Sequence, residues 1–396
     1  MIDIGIIGAG PAGSFLASLL SKNGFSVSLF DKQKSPVPHL PETLFAEKLN
    51  LFKEIGVSSK KLLKDCSKPI SVSFLNSLGT QSLNITHKFF DNSWLLIDRL
   101  KFDEILLKCA EKSGVTYKAP VTVDSVQFYS NYCEVAYREN GKNNIEECRI
   151  VVDASGKSAL FLSAPERKIK RRILDKNMCI FSHFEGTISD PKFSFDSMSI
   201  IEIEQGHIFV IPVSPNRISV GTILLKNPEL DPNVIFENCI NQISWLKELL
   251  SKLKKVFPCV RVENQSYSGT KVCSPRYVIL GDSSYLSDPF FCNGLETSIT
   301  MAKNAAELIS YLLKKNITYS DKIQKCKDYK SSYKKTIQLL GTKMYGDLDK
   351  NVSIIQQKTL VDPHIPYSLL FFLLNLCGRG KDVKSVLQKL RANIGN

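Results

Sequence analysis

Glycines and acidic residues recur in this sequence at spacings that suit nucleotide binding, and the first such set lies near the N-terminus. Residues 4–31 read IGIIGAGPAGSFLASLLSKNGFSVSLFD. An apolar run ends at Gly8, Gly10 and Gly13 follow, a helical pattern comes next, and a second apolar run closes on Asp31. Gly8 permits a tight turn, Gly10 lets a pyrophosphate approach the backbone, and Gly13 lets the helix pack close to the strand.

The same stretch supplies the other groups that a dinucleotide site needs. Pro11 and Ala12 complete the loop before the helical pattern, which we place from Ser14 onward, and the N–H groups and dipole of a helix N-terminus favour phosphates. Asp31 follows Gly13 by 18 residues, about where a carboxylate accepts hydrogen bonds from ribose hydroxyls. Because the loop follows a strand and opens a helix, its context supports the motif, and the sequence predicts a dinucleotide site.

A second arrangement of strand, loop and helix lies at residues 279–296, which read ILGDSSYLSDPFFCNGLE. An apolar run stops at Gly281 and Asp282, and small and polar residues lead to Asn293, Gly294 and a helical pattern. Either the chain has two nucleotide sites, or one long cofactor is held by both ends of the sequence. The chain has no second GxGxxG for a nicotinamide coenzyme, so one long cofactor is the better interpretation.

Two further motifs identify a family. Residues 94–107 read WLLIDRLKFDEILL, with Asp98 and Arg99 before an amphipathic helix, and residues 150–158 read IVVDASGKS. With these motifs, residues 1–310 resemble the superfamily of FAD-dependent aromatic hydroxylases and flavin-dependent halogenases, which includes geranylgeranyl-reductase-like flavoproteins. The resemblance implies FAD as the cofactor. In IVVDASGKS, Asp153 has either a cofactor-binding or a wholly structural role.

The resemblance also implies where the later motifs meet FAD. Asp282 would bind the ribitol or ribose hydroxyls, and Arg99 would lie near the pyrophosphate. The backbone from Pro289 through Asn293 to Gly294 would lie beside the isoalloxazine ring, at the start of a helix whose dipole favours the anionic reduced flavin.

Three segments resemble the halogenase branch in particular. Residues 39–44, HLPETL, resemble its HxGESL segment, with a proline in place of the glycine. Residues 288–294, DPFFCNG, resemble its halide-holding DPLFSSG loop, with Cys292 in place of a serine. Residues 206–212, GHIFVIP, stand in place of the WxWxIP signature, but both tryptophans are absent. In the family those tryptophans keep the substrate away from the flavin, so their absence makes hydroxylation more plausible.

Candidate catalytic residues follow from these chemistries. A lysine near the substrate relays hypohalous acid in halogenases, and Lys68 in CSKPISVSF stands roughly in that position. An imidazole titrates near neutral pH and could act as a base towards a phenol or pyrrole. His207 and His183 lie on predicted strands of the substrate domain and are candidates by residue type.

The sequence therefore predicts an FAD-dependent oxidoreductase. The first hypothesis is a halogenase-like monooxygenase that uses a flavin C4a-hydroperoxide to halogenate or hydroxylate an electron-rich aromatic substrate. The second is an FAD-dependent ene-reductase of the geranylgeranyl-reductase type. The third is a flavoprotein scaffold or a carrier-protein-docking module that has lost turnover.

The predicted fold class is α/β, with a Rossmann-like FAD-binding domain interleaved with an antiparallel-sheet substrate domain and a helical C-terminal segment. The FAD-binding domain would comprise residues 1–64, 98–165 and 268–345. The substrate domain would comprise residues 65–97 and 166–267, where runs such as RISVGTILL alternate like strands. The C-terminal segment would be residues 346–396.

The charge, the cysteine pattern and the lengths of the apolar runs indicate which classes of partner this chain can have. Its 396 residues carry a formal net charge of +13, with a basic cluster at residues 167–172 that could dock an acidic carrier protein. The 11 cysteines form no CxxC pair, which predicts reduced thiols in a cytoplasmic protein and no metal site. No apolar run is long enough for a transmembrane span, and nothing indicates nucleic-acid binding. The expected partners are a small aromatic or carrier-tethered substrate, a halide ion, and a flavin reductase or NAD(P)H.

Overall fold

The computed structural model describes residues 1–64, 66–67, 71–86, 94–163, 171–188, 192–214, 216–224, 229–286 and 294–337. The strands are β1 (Ile2–Ile7), β2 (Val27–Phe30), β3 (Glu42–Phe45), β4 (Cys66–Ser67), β5 (Ser71–Leu75), β6 (Gln81–Thr86), β7 (Trp94–Ile97), β8 (Thr116–Lys118), β9 (Val121–Phe128), β10 (Cys133–Glu139), β11 (Lys142–Asp153), β12 (Arg171–Glu185), β13 (Ser197–Ile203), β14 (Gly206–Ser214), β15 (Arg217–Leu224), β16 (Lys254–Lys255), β17 (Val260–Gly269), β18 (Cys273–Ser274), β19 (Tyr277–Ile279) and β20 (Tyr285–Leu286). The helices are α1 (Pro11–Lys22), α2 (Leu49–Glu54), α3 (Ser59–Leu63), α4 (Arg99–Lys112), α5 (Leu160–Ser163), α6 (Pro232–Ile240), α7 (Ser244–Ser251), α8 (Gly294–Leu312) and α9 (Tyr319–Ile337).

The first sheet has a parallel centre. Its strand order is β18-β19-β11-β1-β2-β8, and β10 pairs with β11 and with β9. Strand β1 is parallel to both β11 and β2, while β8 and β19 extend the parallel pairing on either side. The last four residues of β1 are buried, as expected for a strand of a parallel sheet that is covered on both faces.

Helix α1 follows β1 directly and forms the centre of the helical layer. It begins at Pro11, three residues before the predicted start at Ser14, because proline has no N–H to lose in the first turn of a helix. Phe15, Leu16 and Leu20 are fully buried, and α1 packs against α4 and α8. The helix is therefore fixed with its N-terminus at the carboxyl edge of β1.

The second sheet is mostly antiparallel. Its order is β20-β17-β12-β15-β14-β13-β5-β6, with β16 beside β12 and a parallel pair between β13 and β5. Successive side chains of a strand point to opposite faces. One face, which includes Ile180, Val210 and Val220, packs against α6 and α7, and we call it the helix-covered face.

The other face of the second sheet, here called the opposite face, is defined by cross-strand pairs. His183 pairs with Ser219, and Ser219 pairs with Ile211. Further along the same strands, Phe209 pairs with Gly221, where a Cβ would lie 2.3 Å from the Phe209 ring. Glycine at position 221 therefore leaves room for this ring.

The chain alternates between the two sheets, which confirms the predicted interleaved architecture. Strands of the first sheet come from residues 2–30, 116–153 and 273–279, and most of the second sheet comes from residues 71–86 and 171–269. Strand β20 returns to the edge of the second sheet directly after Asp282. A third, three-stranded sheet has the order β3-β7-β4, and its strand β4 contacts β14 of the second sheet. The domain boundaries themselves stay a prediction, and residues 346–396 lie outside the described residues.

Within the described part of the chain, no helix is long and apolar enough to cross a membrane. The same residues contain no cluster of histidine, cysteine, aspartate and glutamate that could hold a metal ion.

Candidate cofactor and active site

The two nucleotide-binding stretches of the sequence meet at one cavity of about 370 Å³. The first stretch contributes the glycine loop and Asp31, and the second contributes Asp282 and the start of α8. The cavity wall also includes Pro11, Ala12, His39, Glu42, Arg99, Asp103, Tyr117, Ser155, Gly156, Lys157, Gly294, Leu295 and Ser298. One cavity thus joins residues from both ends of the sequence, as a single long cofactor requires.

The three loop glycines differ in what surrounds them. A Cβ at Gly8 would lie 2.2 Å from the carbonyl oxygen of Ala154, and a Cβ at Gly13 would lie 1.9 Å from that of Gly8. Gly8 also has a φ of 106°, which side chains rarely adopt. At Gly10 a Cβ would meet no atom of the described residues within 4 Å. Gly8 and Gly13 therefore shape the turn, and Gly10 faces open space at the N-terminus of α1, where a phosphate would be favoured.

Asp31 ends β2 and is held in place by the backbone. Its two carboxylate oxygens accept hydrogen bonds from Ala9 N at 2.6 Å and from Gln33 N at 2.7 Å. The bond to Ala9 also ties the glycine loop to the second strand. Each carboxylate oxygen can accept a second hydrogen bond, so Asp31 retains the capacity to bind a ribose hydroxyl.

Arg99 is the centre of a buried ion-pair network. Its Nε and Nη2 donate to the two oxygens of Asp103 at 3.0 and 2.9 Å, and Nη1 donates to Glu42. Arg99 is only 7% exposed. Burial disfavours its charge, but the carboxylates of Asp103 and Glu42 outweigh burial and raise its pKa. The guanidinium therefore remains cationic, with donors directed at protein carboxylates.

Glu42 links this network to the start of α8. Its second carboxylate oxygen accepts the backbone N–H of Leu295 at 2.5 Å, and a Cβ at Gly294 would lie 2.8 Å from the same oxygen. Glycine at position 294 therefore lets the carboxylate reach the first turn of the helix. Glu42 belongs to the HLPETL segment noted in the sequence, although no role was predicted for it, and Asp103 was missed. The spacing of four residues between Arg99 and Asp103 within a helix was the available signal for that pair.

Asp282 lies in the cavity wall beside this network. Burial, followed by the nearby negative charge of Glu42, raises the pKa of Asp282 to about 6, although Lys157 and Arg99 act in the other direction. Lys157 is an exposed residue of the cavity wall that the sequence reasoning did not single out. It stands in the motif IVVDASGKS and places a cation beside the site.

Asp153, at the end of β11, has a structural role. Its carboxylate accepts hydrogen bonds from Ser155 N at 3.0 Å, from Ser155 Oγ at 2.6 Å and from Phe161 N at 2.7 Å. Since the residue is fully buried, these bonds fix the turn that carries Ser155 and Lys157 into the cavity wall.

The comparison with known families identifies the cofactor. A family model described as an FAD binding domain matches residues 1–317. The chain belongs to this FAD-binding family. It is a flavoprotein and an FAD-dependent oxidoreductase, and the open side of Gly10, the N-terminus of α1 and the available oxygens of Asp31 fit the dinucleotide.

Its relatives are flavin-dependent halogenases. A 1H-pyrrole-2-carbonyl-(peptidyl-carrier protein) chlorinase of Pseudomonas fluorescens is 26% identical over 347 residues, which cover 79% of this chain and 77% of the relative. The corresponding brominase of Pseudoalteromonas luteoviolacea is 24% identical over 328 residues, which cover 79% of this chain and 78% of the relative. These relatives favour the halogenase and monooxygenase class over the ene-reductase.

Solved structures agree on the fold. A flavin-dependent brominase superposes with a TM-score of 0.72 at 20% identity, covering 99% of this chain and 98% of the other. A p-nitrophenol 4-monooxygenase of Pseudomonas putida gives a TM-score of 0.76 at 11% identity, and the superposition covers 99% of this chain and 97% of the other.

The remaining predicted residues fall in three places. Gly294 begins α8 in the cavity wall. Lys68, Pro289 and Asn293 lie outside the described residues, as does Cys292. His207 lies on the opposite face of the second sheet, four residues along β14 from Ile211, or about 13 Å at the rise of a strand.

Proposed function

We propose that this chain is a flavin-dependent halogenase that acts on an electron-rich aromatic ring carried as a thioester by a carrier protein. Support comes from relatives named for the chlorination and bromination of a 1H-pyrrole-2-carbonyl group on such a protein. The structural observation that carries the proposal is the junction at Glu42. There, the segment that resembles the halogenase HxGESL motif is bonded both to Arg99 and to the first turn of α8.

The chain's residues would hold FAD along the cavity from one end to the other. The glycine loop and the N-terminus of α1, with Pro11 and Ala12, would bind the pyrophosphate. Asp31 would bind the adenosine ribose, and Asp282 would bind hydroxyls nearer the flavin. The N-terminus of α8 at Gly294 would lie beside the isoalloxazine ring. Reduced FAD supplies the electrons with which molecular oxygen is activated to oxidise a halide ion.

The protein's own contribution would be electrostatic. Glu42 fixes the start of α8, whose dipole favours negative charge in front of it. Arg99 would act by holding Glu42, since three of its nitrogens already donate to Asp103 and Glu42. Lys68 remains the candidate for relaying the oxidised halogen to the substrate. A halide ion and a flavin reductase or NAD(P)H complete the proposed set of reactants.

A second candidate function is hydroxylation of the same kind of ring. The observation that favours it is the residue type at positions 207 and 209, where His207 and Phe209 replace the two tryptophans of the halogenase signature. Phe209 is buried on the opposite face of the second sheet. A phenyl ring is smaller than an indole, so less bulk would separate the substrate from the flavin.

One reaction mixture separates these functions. The FAD-loaded protein is supplied with NADH, a flavin reductase, oxygen, and chloride or bromide, with a pyrrole-2-carbonyl group on an acidic carrier protein as the substrate. Mass spectrometry of the released acyl group should show the isotope pattern of the added halogen. A hydroxylated product that forms equally without halide would support the second candidate. Bound FAD without any product from pyrrole or phenol substrates would refute both.

A further inference from the structure

Two buried polar atoms that have no hydrogen-bond partner among the described residues lie side by side on the opposite face of the second sheet. They are Nε2 of His183 and Oγ of Ser219. His183 is 5% exposed and Ser219 is fully buried. Since the two residues are directly paired between β12 and β15, their Cβ atoms lie about 5 Å apart.

Such a pair is unusual because a buried polar atom without a partner is costly to the folded state, and most native proteins avoid it. The ring contacts of His183 among the described residues are aromatic, and its charged neighbours are Arg217 and Glu185. Its ring centroid lies 5.0 Å from that of Phe257 and 6.0 Å from that of Phe181. Nε2 of His183 and Oγ of Ser219 therefore each retain the capacity for one hydrogen bond that the described residues do not fill.

This end of the second sheet adjoins the cofactor cavity. The backbone of His39, a residue of the cavity wall, hydrogen-bonds the imidazole of His183. Arg217, two residues from Ser219, approaches Asp98 at 3.9 Å, and Asp98 directly precedes Arg99. His207, the other histidine on this face, lies at the far end of β14. Of the two histidines, the structure places His183 next to the site.

The protonation state of His183 defines what it can bind. Its bond to the His39 backbone raises the pKa, as a bond to a carbonyl acceptor does, and so engages a ring N–H. The neutral ring carries one N–H, which leaves Nε2 as an acceptor. Burial and the charge of Arg217 lower the pKa of His183 to about 4, which keeps the ring neutral at pH 7. The hydroxyl of Ser219 can donate.

We propose that His183 and Ser219 form a two-point binding site for an aromatic ring that carries an N–H or O–H donor next to a carbonyl group. Nε2 of His183 accepts from the ring donor, and the hydroxyl of Ser219 donates to the carbonyl oxygen. A pyrrole-2-carbonyl group and a 2-hydroxybenzoyl group both have this arrangement. The inference rests on the proposed function and adds to it the residues that choose and orient the substrate.

The test compares each ring with its methylated form. The N-acetylcysteamine thioesters of pyrrole-2-carboxylate and 2-hydroxybenzoate are titrated into the FAD-loaded protein, alongside their N-methyl and O-methyl derivatives. Changes in the flavin absorption spectrum give Kd, and turnover gives kcat and KM. The wild-type protein should bind at least one of the two rings about ten-fold more tightly than its methylated form, since methylation removes one hydrogen bond and adds bulk.

The variants assign this preference to a residue. His183→Phe should abolish it, and His183→Gln, whose amide oxygen can replace Nε2 as an acceptor, should retain much of it. Ser219→Ala should weaken binding of the parent ring and its methylated form equally, because the carbonyl is common to both. The FAD content of each variant shows that it is folded.

Three outcomes would overturn the inference. One is an unchanged preference in FAD-loaded His183→Phe, which would mean that Nε2 binds only a buried water. Another is loss of the preference in His207→Phe instead. The third is no binding of any thioester by the wild-type protein. Binding without turnover would refute the proposed function alone, since the preference in Kd would still test His183.

Discussion

The surroundings of individual glycines separate cofactor binding from folding. Gly10 has an extended backbone with φ of −65° and ψ of −177°, and its Cβ would project into open space. Gly10→Ala should therefore fold normally but weaken FAD binding by about 1–3 kcal/mol, or roughly five- to 160-fold, since the methyl group meets the pyrophosphate. Gly13→Ala should instead lower the free energy of unfolding by about 1–3 kcal/mol or more, because its methyl group meets the Gly8 carbonyl. FAD titration and urea unfolding of the apoprotein measure the two effects, and an equal loss of apoprotein stability in both variants would contradict this assignment.

Asp282 should make the stability of the apoprotein depend on pH. Its pKa rises from 3.8 in the unfolded chain to about 6 in the folded protein, chiefly because of burial and then because of Glu42. The folded state therefore holds this proton more tightly, and the associated stability, up to about 3 kcal/mol, is present below pH 4 and lost as pH rises through 6. Asp282→Asn removes the titration. The unfolding free energy of the wild type minus that of Asp282→Asn should fall between pH 4 and pH 7, and a flat difference would contradict the expectation.

Local spacing made the glycine loop and Asp31 predictable, since all of these residues lie within one strand, helix and strand. The partners of Arg99 were not predictable in the same way. Asp103 lies one helical turn from Arg99. Glu42, however, is separated from Arg99 by 57 positions in the sequence and from Leu295 by 253 positions. No periodicity in a single sequence links positions so far apart. Glu42 reaches Arg99 because β3 pairs with β7, where Glu42 lies opposite Ile97, and it reaches Leu295 because β3 contacts α8.

At the scale of elements, the start of α8 depends on a carboxylate from another part of the chain. Glu42→Ala should lower the free energy of unfolding by about 2–3 kcal/mol, because it removes the acceptor for Leu295 N and one partner of the buried Arg99. Glu42→Gln should lower the free energy of unfolding by less, since its amide oxygen can still accept a hydrogen bond from Leu295 N. Urea unfolding measures the changes. Glu47→Ala, whose carboxylate is 69% exposed and 4.0 Å from Lys48, is the matched control and should change stability by less than about 0.5 kcal/mol.

The strands of the second sheet were predictable from their alternating pattern. Which side chains share a face, and which ends of the strands lie near the cofactor cavity, were not predictable. Alternation places His183 and His207 on strands without saying which end adjoins the cofactor. The register of β12, β15 and β14 supplies that information, since it pairs His183 with Ser219 and leaves His207 four residues beyond Ile211. The halogenase-like loop at residues 288–294 and Lys68 stay predictions.

At the scale of the whole molecule, the chain crosses between its two large sheets beside the cofactor cavity. Asp282 is followed within three residues by β20, which pairs with β17 at the edge of the second sheet. The hydroxyl of Tyr267 on β17 also donates to the backbone oxygen of Asp282. The interleaving therefore connects the two parts of the proposed site, because the segment that would bind FAD hydroxyls is hydrogen-bonded to the sheet that would carry the substrate.

The net charge of +13 should govern how this molecule meets a carrier protein. Part of that charge lies on α9, which exposes Lys327, Lys334 and Lys335. Attraction between a basic enzyme and an acidic carrier raises the association rate at low salt and is screened as the Debye length shortens. The value of kcat/KM for a carrier-bound pyrrole should therefore fall by about ten-fold as ionic strength rises from about 0.02 M to about 0.5 M. The same acyl group as an uncharged thioester is the control, and its kcat/KM should stay nearly constant. An equal fall for both substrates would place the effect of salt within the active site, and no fall for either would show that the positive surface does not guide the carrier.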